Sequence, residues 1–126
     1  MTGIIFTIAQ QKGGAGKTTV AAHLAVAWSR RGQRSVAILD IDPQGSLGEW
    51  LEMRERRLGE DATGLSFRTA SSWGARREAQ RLARDHDVVL IDTPANAERD
   101  ARPAMEVADL LIVPVQPTPM DLWATR

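Results

Sequence analysis

The chain has 126 residues, of which 43% are hydrophobic and 25% charged, a balance typical of one globular domain and not of a disordered chain. Its 16 basic and 16 acidic residues cancel, so nucleic-acid or membrane contacts must come from a local patch or an oligomer surface. Cysteine is absent, which excludes disulfides, thiolate metal sites and cysteine-held iron–sulfur clusters within this chain.

The N-terminus has no basic leader and no cleavage pattern of a signal peptide. The longest apolar runs, such as "ADLLIVPV", are much shorter than the roughly 20 residues that a membrane helix needs. We therefore expect a cytoplasmic protein, and the sequence shows no membrane anchor.

Short apolar runs alternate with helical stretches, the pattern of parallel strands joined by crossover helices. Strands are predicted at 3–9, 35–41, 65–71, 87–92 and 109–115. Helices are predicted at 17–32, 46–57, 74–86 and 98–108, and residues 119–126 have the pattern of another helix start. The predicted fold class is α/β, a mostly parallel sheet flanked by helices, in a single domain over residues 1–126.

A glycine-rich segment, "QKGGAGKTT" (11–19), joins the first predicted strand to the first predicted helix. Glycines there let backbone N–H groups turn inward around phosphate oxygens, and the helix start adds its positive end. Lys17 supplies a charge for the β- and γ-phosphates, and Thr18 offers a hydroxyl to Mg²⁺. The segment predicts a site for ATP or ADP with Mg²⁺. Its predicted binding residues are Lys12, Gly13, Gly14, Ala15, Gly16, Lys17, Thr18 and Thr19.

Carboxylates follow two of the other strongly predicted strands. In "DIDPQG" (40–45), Asp40 and Asp42 stand at i and i+2, so both can point to one side and reach a metal or a water. Asp92 ends the apolar run of "VVLIDTPA" (88–95), where it can hold Mg²⁺ through water. Because ligands bind beyond the carboxyl ends of parallel strands, we expect these aspartates and the glycine-rich segment to face one crevice.

The motifs "KGGAGKTT", "DIDPQG", "VVLIDTPA" and "LLIVPVQPTPMDLW" occur in this order. Together they resemble the deviant Walker A ATPases of the ParA/MinD group, most closely the ParA-type partition and positioning ATPases. The resemblance implies a P-loop NTPase-like fold of which this chain is the N-terminal portion, so the domain is expected to be incomplete at its C-terminal side. We expect an uncovered sheet edge there, and oligomerisation through it.

The resemblance also implies roles for single residues. Lys12, the lysine that a phosphate loop does not need, matches the signature lysine that reaches the partner's ATP across a dimer. Lys17 contacts the bound phosphates, and Asp42 helps to activate the hydrolytic water. The implied metal residues are Thr18, Asp40 and Asp92.

The implied function is an ATP hydrolase that switches between monomer and homodimer on ATP binding and positions or segregates DNA or a protein cargo. The implied partners are non-specific DNA and a stimulating protein similar to ParB. Three alternatives stay open: a MinD-like membrane-associated ATPase, a nucleotide-binding fragment without activity, and a ligase with a similar loop. Electron transfer, as in the nitrogenase iron protein, is excluded because it requires cysteine. Tyrosine autokinases are excluded because the chain has no tyrosine.

Arginines are concentrated in two of the predicted helices. These residues are Arg54, Arg56 and Arg57 in the second helix, and Arg76, Arg77, Arg81 and Arg84 in the third. They could form a basic face, but from the sequence alone a solvated helix surface is favoured over a DNA-binding face for both groups.

Overall fold

The computed structural model describes residues 2–9, 17–31, 35–41, 46–58, 65–93 and 98–113. Within these ranges, five strands alternate with helices. The strands are β1 (Ile4–Ile8), β2 (Val36–Asp40), β3 (Leu65–Thr69), β4 (Val88–Asp92) and β5 (Leu110–Ile112). The helices are α1 (Lys17–Arg31), α2 (Ser46–Leu58), α3 (Ala75–Asp85) and α4 (Glu98–Val107), and a 3-10 turn (Ser72–Gly74) precedes α3.

The strands form one sheet in the order β3-β2-β4-β1-β5, and every pair is parallel. Parallel neighbours need long crossover connections, and the helices between the strands supply them. The predicted parallel α/β sheet is therefore confirmed, and the predicted elements within the described ranges are all present. The predicted helix start at 119–126 lies outside the described residues.

One face of the sheet packs against α1 and α2. Ile8, Ile38 and Leu90 are fully buried there and meet the small side chains of Ala22 and Ala25 on α1. Alanine allows a helix to approach the sheet closely, and burial of the aliphatic side chains stabilises this contact by about 1.5–3 kcal/mol each. This side is called the α1 face below.

The opposite face packs against α3 and α4. Leu39 and Ile91 are fully buried against Ala79 and Leu82 of α3 and Ala104 of α4. Residues of one strand thus alternate between the two faces, and both faces of the central strands are buried. Continuous apolar sequences such as "VAILD" and "VVLID" follow from this double burial.

The connection between α3 and β4 passes very close to the start of β1. The amide of Gly3 donates a 2.7 Å hydrogen bond to the carbonyl of Ala83, and a Cβ at position 3 would collide with the carbonyl oxygen of His86. The His86 ring lies within hydrogen-bond distance of the Leu82 carbonyl and the Ser66 hydroxyl. These contacts close the amino edge of the sheet, so His86 has a structural role.

Among the described strands, β5 is the last on its side of the sheet, and it pairs with β1. Leu110 and Leu111 are 56% and 45% exposed, and Val113 is 39% exposed. The predicted uncovered sheet edge stays a prediction, because the residues that follow β5 lie outside the described part of the chain. Within that part, no helix is long and apolar enough to cross a membrane.

Candidate nucleotide and magnesium site

Two aspartates lie side by side at the carboxyl edge of the sheet. Asp40 ends β2 and Asp92 ends β4, and the two are direct register partners. Ile8, the last residue of β1, is the partner of Asp92 on the other side. Neighbouring strands lie about 4.8 Å apart, so the three residues form a short row. This row is called the Asp40–Asp92–Ile8 row.

The side chains of the row point to the α1 face. Val36 and Ile38 of β2 lie on that face, and alternation places Asp40 there too. The same alternation, through Leu90, places Asp92 beside it. The structure therefore brings together two of the predicted carboxylates, on the face that α1 covers.

Both carboxylates are almost completely buried. Asp40 is 3% exposed and Asp92 is 1% exposed, and neither is without an interaction partner. Burial of an ionised carboxylate is costly unless cations or hydrogen-bond donors compensate it. Carboxylate oxygens are the protein ligands that Mg²⁺ prefers, so this donor set fits that ion.

The described residues do not contain a group of three or more side chains that could enclose a metal ion. Mg²⁺ keeps several of its waters and binds through one or two carboxylates and substrate phosphates, so a pair of aspartates is a suitable protein contribution. The metal roles predicted for Asp40 and Asp92 remain predictions.

Thr93, the residue after Asp92, links the end of β4 to the end of β1 by hydrogen bonds. It is fully buried, and its hydroxyl donates a 2.7 Å hydrogen bond to the carbonyl of Ile8. Its amide donates to the same oxygen at 3.3 Å. No role was predicted for this residue from the sequence, although a polar β-branched residue directly after the aspartate of "VVLID" was a usable signal.

Backbone hydrogen bonds extend the sheet past the strand ends on both sides of the aspartates. The amide of Ile41 donates to the carbonyl of Asp92 at 3.0 Å, and the amide of Ala70 donates to the carbonyl of Asp40 at 3.2 Å. On the far side, the amide of Ala9 donates to the carbonyl of Ile112 at 3.0 Å. The backbone that holds both carboxylates is therefore fixed from several directions.

Helix α1 begins at this same edge. It has 15 residues, which span about 22 Å, and only residues 32–35 separate its end from the start of β2 at the amino edge. Its N-terminus must therefore lie at the carboxyl edge, where a helix presents unpaired N–H groups and a positive dipole end. The positive helix end is suited to an anion such as phosphate, and the two aspartates are suited to a cation bound beside it.

The predicted phosphate-binding residues fall partly outside what the structure describes. Residues 17–19, which are Lys17, Thr18 and Thr19, form the first turn of α1, and their side chains lie outside the described residues. Lys12, Gly13, Gly14, Ala15, Gly16 and Asp42 lie outside the described residues altogether. Their roles stay predictions.

Comparisons with known proteins identify the family of the chain. Residues 6–111 match the family described as the CobQ/CobB/MinD/ParA nucleotide binding domain. The maintenance of carboxysome distribution protein A of Halothiobacillus neapolitanus is 29% identical over 119 residues, which cover 94% of this chain and 53% of that protein. The chain thus spans about half the length of the curated relatives it matches.

Two solved structures have the same fold. The pNOB8 ParA bound to nonspecific DNA matches with a TM-score of 0.76 at 21% identity, over 98% of this chain and 57% of that one. Cobyrinic acid a,c-diamide synthase from Mycobacterium smegmatis, with bound ADP and magnesium, matches with a TM-score of 0.72 at 27% identity, over 90% of this chain and 59% of that one. With its family match from residue 6 to residue 111, this chain belongs to the CobQ/CobB/MinD/ParA family of nucleotide-binding domains.

Proposed function

We propose that this protein is a Mg²⁺-dependent ATPase of the ParA type that forms a homodimer on ATP binding and positions or segregates DNA or a protein cargo. The observation that carries the proposal is the buried pair Asp40 and Asp92 at the carboxyl edge, beside the N-terminus of α1. A phosphate group at the helix end and Mg²⁺ at the carboxylates would each meet the charge that they require.

The proposed site residues have different roles in phosphoryl transfer. The glycine-rich backbone and Lys17 would hold the phosphates, Thr18, Asp40 and Asp92 would hold the metal, and Asp42 would orient the attacking water. Bound Mg²⁺ would supply positive charge that neutralises the phosphate oxygens. Positioning and charge are most of what this reaction needs, so a rigid sheet edge is a suitable scaffold.

Lys12 is the residue for which a homodimer is proposed. A second cation at the γ-phosphate stabilises the charge that develops in the transition state, and a cation supplied by a partner couples hydrolysis to assembly. The ATP site is then complete only when two copies meet at their carboxyl edges.

The cargo is inferred from the relatives. One matched protein is named for carboxysome distribution, and one matched structure is a ParA bound to nonspecific DNA. We infer that the ATP dimer of this protein binds non-specific DNA as a matrix. A ParB-like partner would then stimulate hydrolysis and release the protein from the DNA.

The test compares two lysine variants of the natural full-length protein. Lys12→Ala is expected to bind ATP–Mg²⁺ as the parent does, but to stay monomeric in analytical ultracentrifugation and to lose hydrolysis. Lys17→Ala is the matched control, and it is expected to lose ATP binding itself. ATP-dependent dimerisation and hydrolysis by Lys12→Ala at the parent's level would overturn the dimer switch.

An ATP-dependent ligase is a second candidate, because the 27% identical neighbour is a diamide synthase. The two reactions differ in what ATP turnover requires. Turnover that rises with protein concentration and added DNA supports the dimer switch. Turnover that appears only with a small carboxylic acid and an amide nitrogen donor supports the ligase.

A further inference from the structure

A groove of about 340 Å³ lies between α1 and α2, away from the nucleotide edge. Its lining residues are Arg30, Trp50, Met53, Arg54 and Arg57. Arg30 belongs to the last turn of α1, which lies at the amino edge of the sheet. A second subunit docked on the carboxyl edge would therefore leave this groove accessible.

The described residues of the lining are arginine, tryptophan and methionine. These types are enriched in the cores of protein–protein interfaces, where lysine and small polar residues are depleted. Met53 is 56% exposed and lies beside the half-buried Trp50, so the groove has an apolar floor that faces solvent. A flexible thioether next to an indole can adapt to an apolar side chain of a partner.

Among the described residues, no ion pair neutralises the positive charge on the rim of the groove. The three arginines give it a formal charge of +3, in a chain whose net charge is +0. The ion pairs in the described residues join Arg56 to Glu52 at 3.8 Å and Arg81 to Glu78 at 3.3 Å, and neither uses a groove arginine. The groove therefore has charge available for a ligand.

Arg54 adds an independent observation. Its Nε atom is buried and has no hydrogen-bond acceptor within the described part of the structure. Buried donors in native proteins are normally paired. An acceptor that arrives with a partner would satisfy the atom.

We propose that this groove binds an acidic peptide segment of a partner protein, with carboxylates on the arginines and an apolar side chain against Trp50 and Met53. The apolar floor favours a peptide over nucleic acid, because contacts to a phosphate backbone depend on charge and polar groups. The inference rests on the proposed function, for which it provides a docking place for the cargo or the stimulating partner.

The experiment uses a short fluorescein-labelled peptide with leucine at every third or fourth position and glutamate between. A second peptide with glutamine in place of each glutamate tests the charge. Fluorescence anisotropy measures the affinity of both for the natural full-length protein. The double variant Arg54→Ala/Arg57→Ala is expected to weaken binding of the acidic peptide by at least about tenfold, since each lost contact is a charge-assisted hydrogen bond.

The double variant Arg76→Ala/Arg77→Ala is the matched control, because it removes the same charge from exposed positions of α3. It is expected to leave the affinity unchanged. Met53→Glu is a second groove variant, which repels the acidic peptide without removing the half-buried Arg54. Circular dichroism establishes that each variant is folded.

Three results would overturn the proposal: no binding of the acidic peptide by the parent, equal loss in the groove and control variants, or equal affinity for the glutamine peptide. A random-sequence DNA duplex that loses affinity only in the groove variants, while the acidic peptide does not bind, would assign the groove to nucleic acid instead. ATP-dependent dimerisation and hydrolysis, measured on the same proteins, are expected to be unchanged. Their absence in the parent would overturn the proposed function separately.

Discussion

The hydroxyl of Thr93 donates a 2.7 Å hydrogen bond to the carbonyl oxygen of Ile8, and so joins the end of β4 to the end of β1. Asp92 precedes Thr93 directly, and the glycine-rich segment begins shortly after Ile8. This buried hydrogen bond helps to hold Asp92, the proposed metal ligand, beside the end of the strand that precedes the glycine-rich segment. Rigid support of this kind is what a precisely aligned phosphoryl-transfer site needs.

The first prediction concerns this hydrogen bond. Thr93→Val keeps the shape of the side chain but removes the donor, and it is expected to lower the free energy of unfolding by about 1–2 kcal/mol and to weaken ATP–Mg²⁺ binding. Urea denaturation and isothermal titration measure the two effects. Thr7→Val is the matched control, because the Thr7 hydroxyl is equally buried but donates to the carbonyl of Ala104 on α4 and not to the end of β1. Thr7→Val should lose a similar amount of stability but keep its affinity for ATP–Mg²⁺. An equal loss of affinity in both variants would contradict the positioning role of Thr93.

The second prediction concerns the metal. Asp92→Asn is expected to weaken Mg²⁺-dependent ATP binding about 10-fold to 100-fold, because the amide cannot supply the negative charge or accept from metal-bound waters as a carboxylate does. Titration of ATP with and without Mg²⁺ measures the change. Asp87→Asn makes the same substitution at the opposite end of β4, where the carboxylate accepts a 2.9 Å hydrogen bond from the Ser35 amide. A similar Mg²⁺ dependence in both variants would exclude Asp92 from the metal site.

The third prediction tests the close approach at the amino edge. Gly3→Ala would place a methyl group against the carbonyl of His86, and backbone atoms cannot rotate away. A loss of about 1–3 kcal/mol in the free energy of unfolding is expected. Gly74→Ala is the control, since its Cβ would meet only the Ser71 hydroxyl at 3.1 Å and its φ of −91° is allowed for any residue. Its stability should change by less than about 1 kcal/mol. Equal effects of the two substitutions would contradict the packing at Gly3.

The fourth prediction concerns β5. Leu110→Lys/Leu111→Lys is expected to lower self-association of residues 1–126 in sedimentation velocity, because exposed apolar edge strands pair with other chains and lysine opposes this. Met105→Lys on α4 serves as the control, because Met105 is 41% exposed but is not on a strand edge. Monomeric behaviour of the parent chain at high concentration would remove the basis of this prediction.

Local sequence patterns were sufficient to predict the strands and helices and their order along the chain. The strands "VAILD" and "VVLID" show no alternation of apolar and polar residues, because both of their faces are buried. Their length and their flanking residues identified them as strands. That Asp40 and Asp92 lie at the same edge of the sheet was also predictable, since both end strands of a parallel sheet. Thr93 was not predicted, because its hydrogen bond to Ile8 spans 85 positions of the chain.

The sequence by itself determined the α/β class, the glycine-rich phosphate segment and the aspartates that end two strands, because these depend on residue types at short spacings. Only the tertiary structure decided that β4 lies between β2 and β1, which makes Asp40 and Asp92 neighbours in register. Only the tertiary structure brought Arg30 of α1 to Arg54 and Arg57 of α2 in one groove. The physical reason is the same in both cases: strand order and helix packing are set by burial between distant segments, which no short stretch of sequence contains.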